Sequence, residues 1–277
     1  MLAFRAHSLS SVVFRASALA AITAGALAVA AGVVLTGCGG SGSGGTNPPG
    51  AAASNPAGTH SSSSGGSTSA VSSNSVPFPV GVGDTWTYST SDAAGTTGTV
   101  VEKMTAVSPV SGGQQVTMAG TTTILGTTTN TSAYYVFHSD GSITLPFSQF
   151  NTGSSTSSVK LLSGTLEWPS ASALASGQSS NSTLQIQFSS NGQTENVSAD
   201  IAVKGVGSQS VTVPFGTYNA TVVNMTMSET VEGIPVSDTV TTWLAPGVGP
   251  VKSQVVVDEN GRSLTVGTQV LTSFTQG

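Results

Sequence analysis

The sequence predicts an all-β fold, an antiparallel curved sheet that forms an incomplete barrel or a sandwich. After residue 77, apolar residues alternate with Ser and Thr, which is typical of half-buried strands. The β-branched residues Thr and Val dominate these runs. Turn pairs such as Asp140 with Gly141 and Asn191 with Gly192 separate them and supply the positive φ angles of tight hairpins. Hairpin-joined strands are antiparallel, so one face of the sheet can remain in water.

Three segments are the clearest strands, and each places its apolar side chains on one face. They contain Trp86 and Tyr88; Leu184, Ile186 and Phe188; and Val223, Met225 and Met227. We expect about ten strands in all, since sheets of this size rarely have more. Residues 170–176 predict one brief helical turn, which Gly177 ends.

The N-terminal residues 1–37 have the parts of an export signal: Arg5 and Arg15, an apolar stretch, and small residues before Cys38. The tetrad at 35–38, Leu-Thr-Gly-Cys, resembles the lipobox of bacterial lipoproteins. The resemblance implies that Cys38 carries a diacylglycerol and a further acyl chain such as palmitate, which makes the membrane a partner. Cleavage near residues 28–30, or an uncleaved membrane helix, are the alternatives.

Residues 38–76 predict a disordered tether, and residues 77–277 a single β domain. The tether consists mainly of Gly, Ser, Thr, Asn, Pro and Ala, which cannot bury enough apolar surface to fold. Its typical reach is about 35 Å. Because Cys38 is the one cysteine of the chain, the domain depends on its core and not on disulfides.

The charge pattern excludes nucleic acid as a partner. The chain has 7 basic and 12 acidic residues, for a net charge of −5. Proteins that bind phosphate backbones cluster Lys and Arg, whereas the lysines of this domain are scattered singly.

We predict no catalytic residue, no cofactor and no metal site. His138 is the single histidine after residue 77, and no Gly-x-Ser-x-Gly elbow accompanies it. Zinc sites need clusters of Cys or His, and residues 258–261 are explained as a hairpin tip rather than a calcium loop. An enzyme that uses paired carboxylates stays open as a weaker alternative, with these candidates: Glu167, Glu195, Asp200, Glu229 and Glu232.

Three further segments resemble signatures of exported bacterial proteins of unknown function, the TapB-like and related lipoproteins. They are residues 83–88 (GDTWTY), 213–220 (VPFGTYNA) and 243–252 (WLAPGVGPVK). The resemblance implies a curved antiparallel sheet or incomplete barrel, somewhat like that of periplasmic lipoprotein carriers, and no known activity. Physically, Pro246 and Gly247 predict a sharp turn with Trp243 packed beneath it.

Trp86, Tyr88 and Trp243 are the candidate ligand-binding residues, because aromatic clusters can hold acyl chains or sugars, although aromatic residues at strand spacing are more often core. We therefore expect a lipid-anchored, non-enzymatic envelope protein that binds a hydrophobic or envelope ligand or a partner protein. The alternative is a structural or surface-displayed interaction module. Gly39 after Cys38, in place of the Asp that retains lipoproteins at the inner membrane, favours the outer membrane, on its periplasmic or surface face.

Overall fold

The structure is a computed structural model that describes residues 79–145, 151–154, 157–190, 193–231, 234–259 and 262–277. The predicted signal peptide, the predicted tether and Cys38 lie outside the described residues. In the part of the chain that is described, no helix has the length and apolar character needed to cross a membrane.

The described residues form fourteen strands and one short helix, which confirms the all-β prediction. The expected count of about ten was too low, partly because β5, β6 and β8 are too short to show an alternating pattern. The helix α1 is Ala171–Ala175, as predicted. The strands are β1 Thr85–Asp92, β2 Thr97–Val110, β3 Gly113–Ile124, β4 Thr127–His138, β5 Ile143–Leu145, β6 Asn151–Ser154, β7 Ser157–Ser163, β8 Leu166–Trp168, β9 Ser179–Ser190, β10 Gln193–Val213, β11 Gly216–Val231, β12 Ile234–Ala245, β13 Gly249–Glu259 and β14 Arg262–Thr275.

All fourteen strands belong to one antiparallel sheet, in the order β6-β7-β9-β10-β11-β12-β13-β14-β1-β2-β3-β4-β5-β8. The sheet is open, with β6 and β8 at its two edges. It curves until the β8 edge lies against β9, where the Ser180 hydroxyl donates a 2.6 Å hydrogen bond to the Glu167 carbonyl oxygen. The architecture is therefore an incomplete barrel.

The core lies on the concave face, where alternate residues of the strands are buried. Leu184, Ile186, Val223, Met225 and Met227 are all buried there, as the alternation predicts. Helix α1 adds the fully buried Leu174. A Cβ on Gly205 of β10 would stand 1.7 Å from the Leu174 carbonyl oxygen, so this glycine permits the helix to approach the sheet.

The outer face carries hydroxyl and amide side chains that pair between neighbouring strands. Thr121 of β3 donates to Asn130 of β4 at 3.0 Å, and Gln185 of β9 donates to Ser198 of β10 at 2.9 Å. Cross-strand pairs of this kind stabilise a sheet by about 0.2–1 kcal/mol each. The Ser and Thr content of the sequence therefore forms the exposed skin of the sheet.

The turn of the β10–β11 hairpin contacts a strand that is not its neighbour in the sheet. The strands slip in register between Gly205 and Gly207, where Gly207 has a φ of 121°. Beyond this bulge, the amide of Phe215 at the hairpin turn donates to the carbonyl oxygen of Leu271 in β14 at 3.2 Å. The hairpin turn therefore contacts β14, although β12 and β13 lie between β11 and β14 in the sheet order.

Candidate functional site

Two of the predicted ligand-binding residues hold a turn of the chain itself. The indole Nε1 of Trp86 donates to the carbonyl oxygen of Val248 at 2.7 Å, and the hydroxyl of Tyr88 donates to the carbonyl oxygen of Pro250 at 3.1 Å. Both side chains are buried, and Trp86 also stacks on Phe274 with ring centroids 5.2 Å apart. The first and third signature segments therefore meet in space.

The third candidate, Trp243, lies on the opposite face of the sheet from Tyr88. Trp243 pairs with Lys252, Lys252 with Val270, and Val270 with Ser89, so these four residues share one face. Ser89 follows Tyr88 directly in β1, and consecutive residues of a strand point to opposite faces. The three aromatic residues therefore do not form one cluster, and their role as ligand-binding residues stays a prediction.

Trp243 has its own set of contacts on the outer face. Its Nε1 donates to Oε1 of Gln209 at 2.8 Å, and Nζ of Lys252 lies 4.6 Å from the centroid of its ring. The turn that the sequence places above Trp243 is present, with Gly247 at a φ of 72°. The turn is closed by a 3.1 Å hydrogen bond from the Val248 amide to the Ala245 carbonyl oxygen, and the side chains that donate to it are Trp86 and Tyr88.

The concave face also contains buried polar groups that lack partners within the described chain. Neither the Nε2 nor the Oε1 atom of Gln269 in β14 has a hydrogen-bond partner among the described residues. The same is true of Oε1 of Glu102 in β2 and of Oγ1 of Thr131 in β4. A buried polar group without a partner costs about 1–3 kcal/mol, so these atoms need an explanation.

These groups lie in two rows that the strand register defines. In the first row, Gln269 pairs with Thr90 of β1 on one side and with Ser253 of β13 on the other. In the second row, Gly120 of β3 separates Glu102 from Thr131. Each row interrupts an otherwise apolar surface with hydrogen-bonding atoms.

The environment of Glu102 favours its neutral form. Burial raises the pKa of this carboxyl well above its ordinary value of about 4.5. Burial also raises the pKa of Tyr88 and of Tyr135, and the nearby charge of Glu102 raises both further. Burial therefore favours the uncharged form of all three side chains.

Sequence reasoning missed Glu102 and Gln269, although the alternation contained the signal. Glu102 stands between Val100 and Met104 at spacing two, and Gln269 stands two residues before Leu271. A polar residue in phase with apolar ones points into the core.

The candidate acidic residues of the sequence analysis were others, of which Glu167 and Asp200 are exposed. The side chains of Glu195, Glu229 and Glu232 lie outside the description.

The seam between β8 and β9 is the weak point of the curved sheet. Besides the bond from Ser180, only a 3.4 Å contact from the Glu167 amide to the Ser182 hydroxyl joins these strands among the hydrogen bonds of the described residues. Other neighbouring strands share ladders of backbone hydrogen bonds. Next to the seam, the buried Nε1 of Trp168 has no partner in the described chain.

The contact that the structure gives His138 is with a threonine hydroxyl and is structural. Its Nε2 lies 2.7 Å from the hydroxyl of Thr144. Hydrogen bonds from the hydroxyl and the amide of Ser142 lower the pKa of nearby Asp140, whose turn with Gly141 is as predicted. Among the described residues, no three His, Cys, Asp or Glu side chains gather closely enough to hold a metal ion.

The fold places the chain in the class of all-β proteins built on one curved antiparallel sheet. The chain belongs to the DUF3108-like family, whose profile matches residues 82–269. This match spans all three signature segments, whereas the narrower likeness to TapB-like proteins stays a prediction. No curated protein matches the chain.

Two crystal structures are similar in fold. One, from Bacteroides fragilis, is provisionally described as an exported protein with a YmcC-like fold; it is 19% identical with a TM-score of 0.50, and the match covers 72% of this chain and 98% of that one. The other, from Parabacteroides distasonis, is provisionally described as a lipoprotein; it is 16% identical with a TM-score of 0.53, and covers 73% and 99%. The TM-scores and the coverage show a common fold, and at identities this low the similarity shows the fold alone.

Proposed function

We propose that this protein is a lipid-anchored, non-enzymatic binding module of the bacterial cell envelope, whose curved sheet receives a hydrophobic envelope ligand with a polar group. The observation that carries the proposal is Gln269, a buried amide with two atoms that lack partners in the described chain, on the concave face that also holds the apolar core. Ligand sites are mostly apolar surfaces with a few polar groups that fix orientation. A ligand that offers a donor and an acceptor would satisfy both atoms of Gln269.

The seam between β8 and β9 is the proposed entrance. Two hydrogen bonds between serine hydroxyls and the Glu167 backbone are worth about 0.5–1.5 kcal/mol each, far less than a full strand ladder. The sheet can therefore widen at Ser180 and Ser182 without losing the pairing of any two strands. Trp168 and Leu166 line the inner side of this edge and are both buried.

The proposed location rests on the lipobox and on the two structural relatives. One relative is described as exported and the other as a lipoprotein, which agrees with an anchor at Cys38. Gly39 favours the outer membrane, and the three signature segments favour a relationship to TapB-like lipoproteins.

The anchor is tested with Cys38→Ser in the native host. Acyl chains on Cys38 add about 0.8 kcal/mol per buried methylene, so the wild-type protein should stay with membranes after a high-salt wash. The variant should lose the lipid-derived mass of its N-terminus and leave the membrane fraction. A wild-type protein without this mass would contradict the anchor.

Ligand binding is tested on the full-length protein, extracted from host membranes in mild detergent. Native mass spectrometry should show a retained lipid, and uptake of a fluorescent fatty-acid probe should be several-fold faster in Ser180→Ala/Ser182→Ala because the seam opens more often. Gln185→Ala, which removes a hydrogen bond of the outer face, is the matched control and should take up the probe at the wild-type rate. No retained lipid, together with equal uptake rates, would overturn the proposal.

A second candidate is a surface-displayed interaction module, favoured by the outer face. Hydroxyl and amide pairs cover this face in several neighbouring strands, for example Thr226 with Thr239 and Thr241 with Asn224. A face of this kind suits exposure to water and polar partners. The absence of any bound lipid would favour this candidate.

A further inference from the structure

The outer face of the sheet has a shallow concavity over β9, β10 and β11. Its volume is about 350 Å³, at the lower end of the range of small-molecule sites, about 300–1,000 Å³. Six residues form two rows across these strands by register: Thr183, Asp200 and Ser228; and Asn181, Ala202 and Thr226. The other two lining residues, Ser182 and Ile201, alternate with these along β9 and β10, so their side chains point to the opposite face, where Ile201 is buried.

The small side chain of Ala202 creates the concavity. Asn181 and Thr226 flank it in its own row, and Thr183, Asp200 and Ser228 form the row beside it. Each of these five side chains extends further than a methyl group, so they stand around Ala202 as a polar rim. The floor is a methyl group, against which the apolar face of a small ligand can rest.

The polar rim is held in place before any ligand arrives. The Thr183 hydroxyl donates to Oδ1 of Asp200 at 2.8 Å, which fixes the carboxylate. The Thr226 hydroxyl pairs with the Thr239 hydroxyl at 3.3 Å on the other side. Preorganised side chains lose less conformational entropy on binding, so each hydrogen bond to a ligand contributes more to affinity.

The chemistry of the rim matches a ligand with many neutral hydroxyl groups. It offers one carboxylate, one amide and three hydroxyls, which together both donate and accept hydrogen bonds. Asp200 would repel an anion, and a single carboxylate is a poor cation site. We propose that this concavity binds a saccharide, one or two sugar units in size, with Asp200 and Asn181 accepting from and donating to adjacent hydroxyls.

Envelope saccharides of this chemistry come from two sources, the disaccharide of peptidoglycan and the oligosaccharide chains of lipopolysaccharide. Both are immobilised separately and probed with the full-length protein in mild detergent. Binding to one source and not the other identifies which sugar the site accepts, and either result supports the proposal. Binding to neither source overturns it.

The variants locate the site. Ala202→Gln fills the concavity, and Asp200→Ala removes the main acceptor, so each should weaken binding at least tenfold. Ser198→Gln is the matched control, because Ser198 is exposed on the same face of the same strand, four residues or about 13 Å away. Ser198→Gln should bind as the wild type does.

Equal binding by the wild type and by both concavity variants overturns the proposal, as does a loss of binding in Ser198→Gln equal to the loss in those variants. Lipid retention in the interior is unaffected by these changes, so failure here is distinguishable from failure of the proposed function.

Discussion

The indole of Trp86 donates a 2.7 Å hydrogen bond to the carbonyl oxygen of Val248, a residue 162 positions further along the chain. The bond crosses from β1 to the turn between β12 and β13, and Tyr88 adds a parallel one to Pro250. Two of the three signature segments are therefore halves of one structural clamp. This gives the aromatic residues a physical role that needs no ligand.

Trp86→Phe should lower the free energy of unfolding by more than Trp168→Phe. Both tryptophans are buried, and both changes remove the same atoms. Trp86 loses a hydrogen bond and leaves the Val248 carbonyl without its donor, which costs about 1–3 kcal/mol beyond the lost packing. Trp168 has no partner for its Nε1 in the described chain, so it loses packing alone. Chemical denaturation of both variants measures the difference, and equal losses would show that the clamp contributes nothing.

The alternation of apolar and polar residues was enough to predict the sheet, since Val223, Met225 and Met227 face inwards as expected. A separate local pattern, Leu174 between alanines before Gly177, placed the helix, whose N-cap Ser170 accepts a hydrogen bond from the Ala173 amide. Local patterns therefore determined the elements and their inward faces. They could not determine which strands meet across the open edge, since that depends on the accumulated twist of the whole sheet.

The clamp and the separation of Trp243 from Tyr88 depend on long-range register. The bulge between Trp243 and Leu244 shifts the pairing of β12 with β13, and no short motif announces such a shift. The predicted aromatic cluster combined residues by type and family motif, without knowledge of which face each one occupies. Glu102, in contrast, could have been identified from its phase in β2.

Gln269→Leu should leave the free energy of unfolding unchanged or raise it. The substitution removes two buried polar atoms that have no partner in the described chain, and with them a desolvation penalty of about 1–3 kcal/mol. Gln209→Leu is the matched substitution and should lower the free energy of unfolding, because it leaves the Nε1 of buried Trp243 without its acceptor. If the interior binds a ligand as proposed, Gln269→Leu should also retain less lipid. A large loss of stability in Gln269→Leu would mean that the amide is satisfied in solution.

Gly205→Ala should destabilise the protein by more than about 3 kcal/mol, because the new methyl group would overlap the backbone of α1. The nearest atom, the Leu174 carbonyl oxygen, is 1.7 Å from the added Cβ. Gly267→Ala is the control, since its nearest atom is 3.9 Å away. Thermal unfolding should show a large fall in Tm for the first variant and little change for the second. A mild effect at Gly205 would mean that α1 can move away from β10.

Leu125→Asn should stabilise the β3–β4 hairpin by about 1 kcal/mol, since a left-handed backbone costs most residues about 1–2 kcal/mol and Asn tolerates it. Leu125 has a φ of 49°, the following Gly126 has a φ of 78°, and the leucine side chain is 81% exposed. Asn followed by Gly is the preferred pair for such a turn. Leu264→Asn removes another exposed leucine, 59% exposed, from within β14 and should give no gain. Equal effects in denaturation would show that the backbone angle is not the cause.

Glu102→Gln should change how stability depends on pH. Burial raises the pKa of Glu102 in the folded protein, so the folded state keeps its proton while the unfolded state releases one above about pH 4.5. The wild-type free energy of unfolding should therefore fall by up to about 1.4 kcal/mol for each pH unit between the unfolded and the folded pKa.

Glutamine has the shape of the neutral acid and does not titrate. The free energy of unfolding of Glu102→Gln should therefore match that of the wild type near pH 4 and exceed it near pH 8. Denaturation curves at both pH values measure this, with Gln185→Ala on the outer face, which changes no titratable group, as the control that should keep the wild-type pH dependence. A wild type whose stability is flat from pH 4 to pH 8 would mean that Glu102 is solvated or paired in the folded protein.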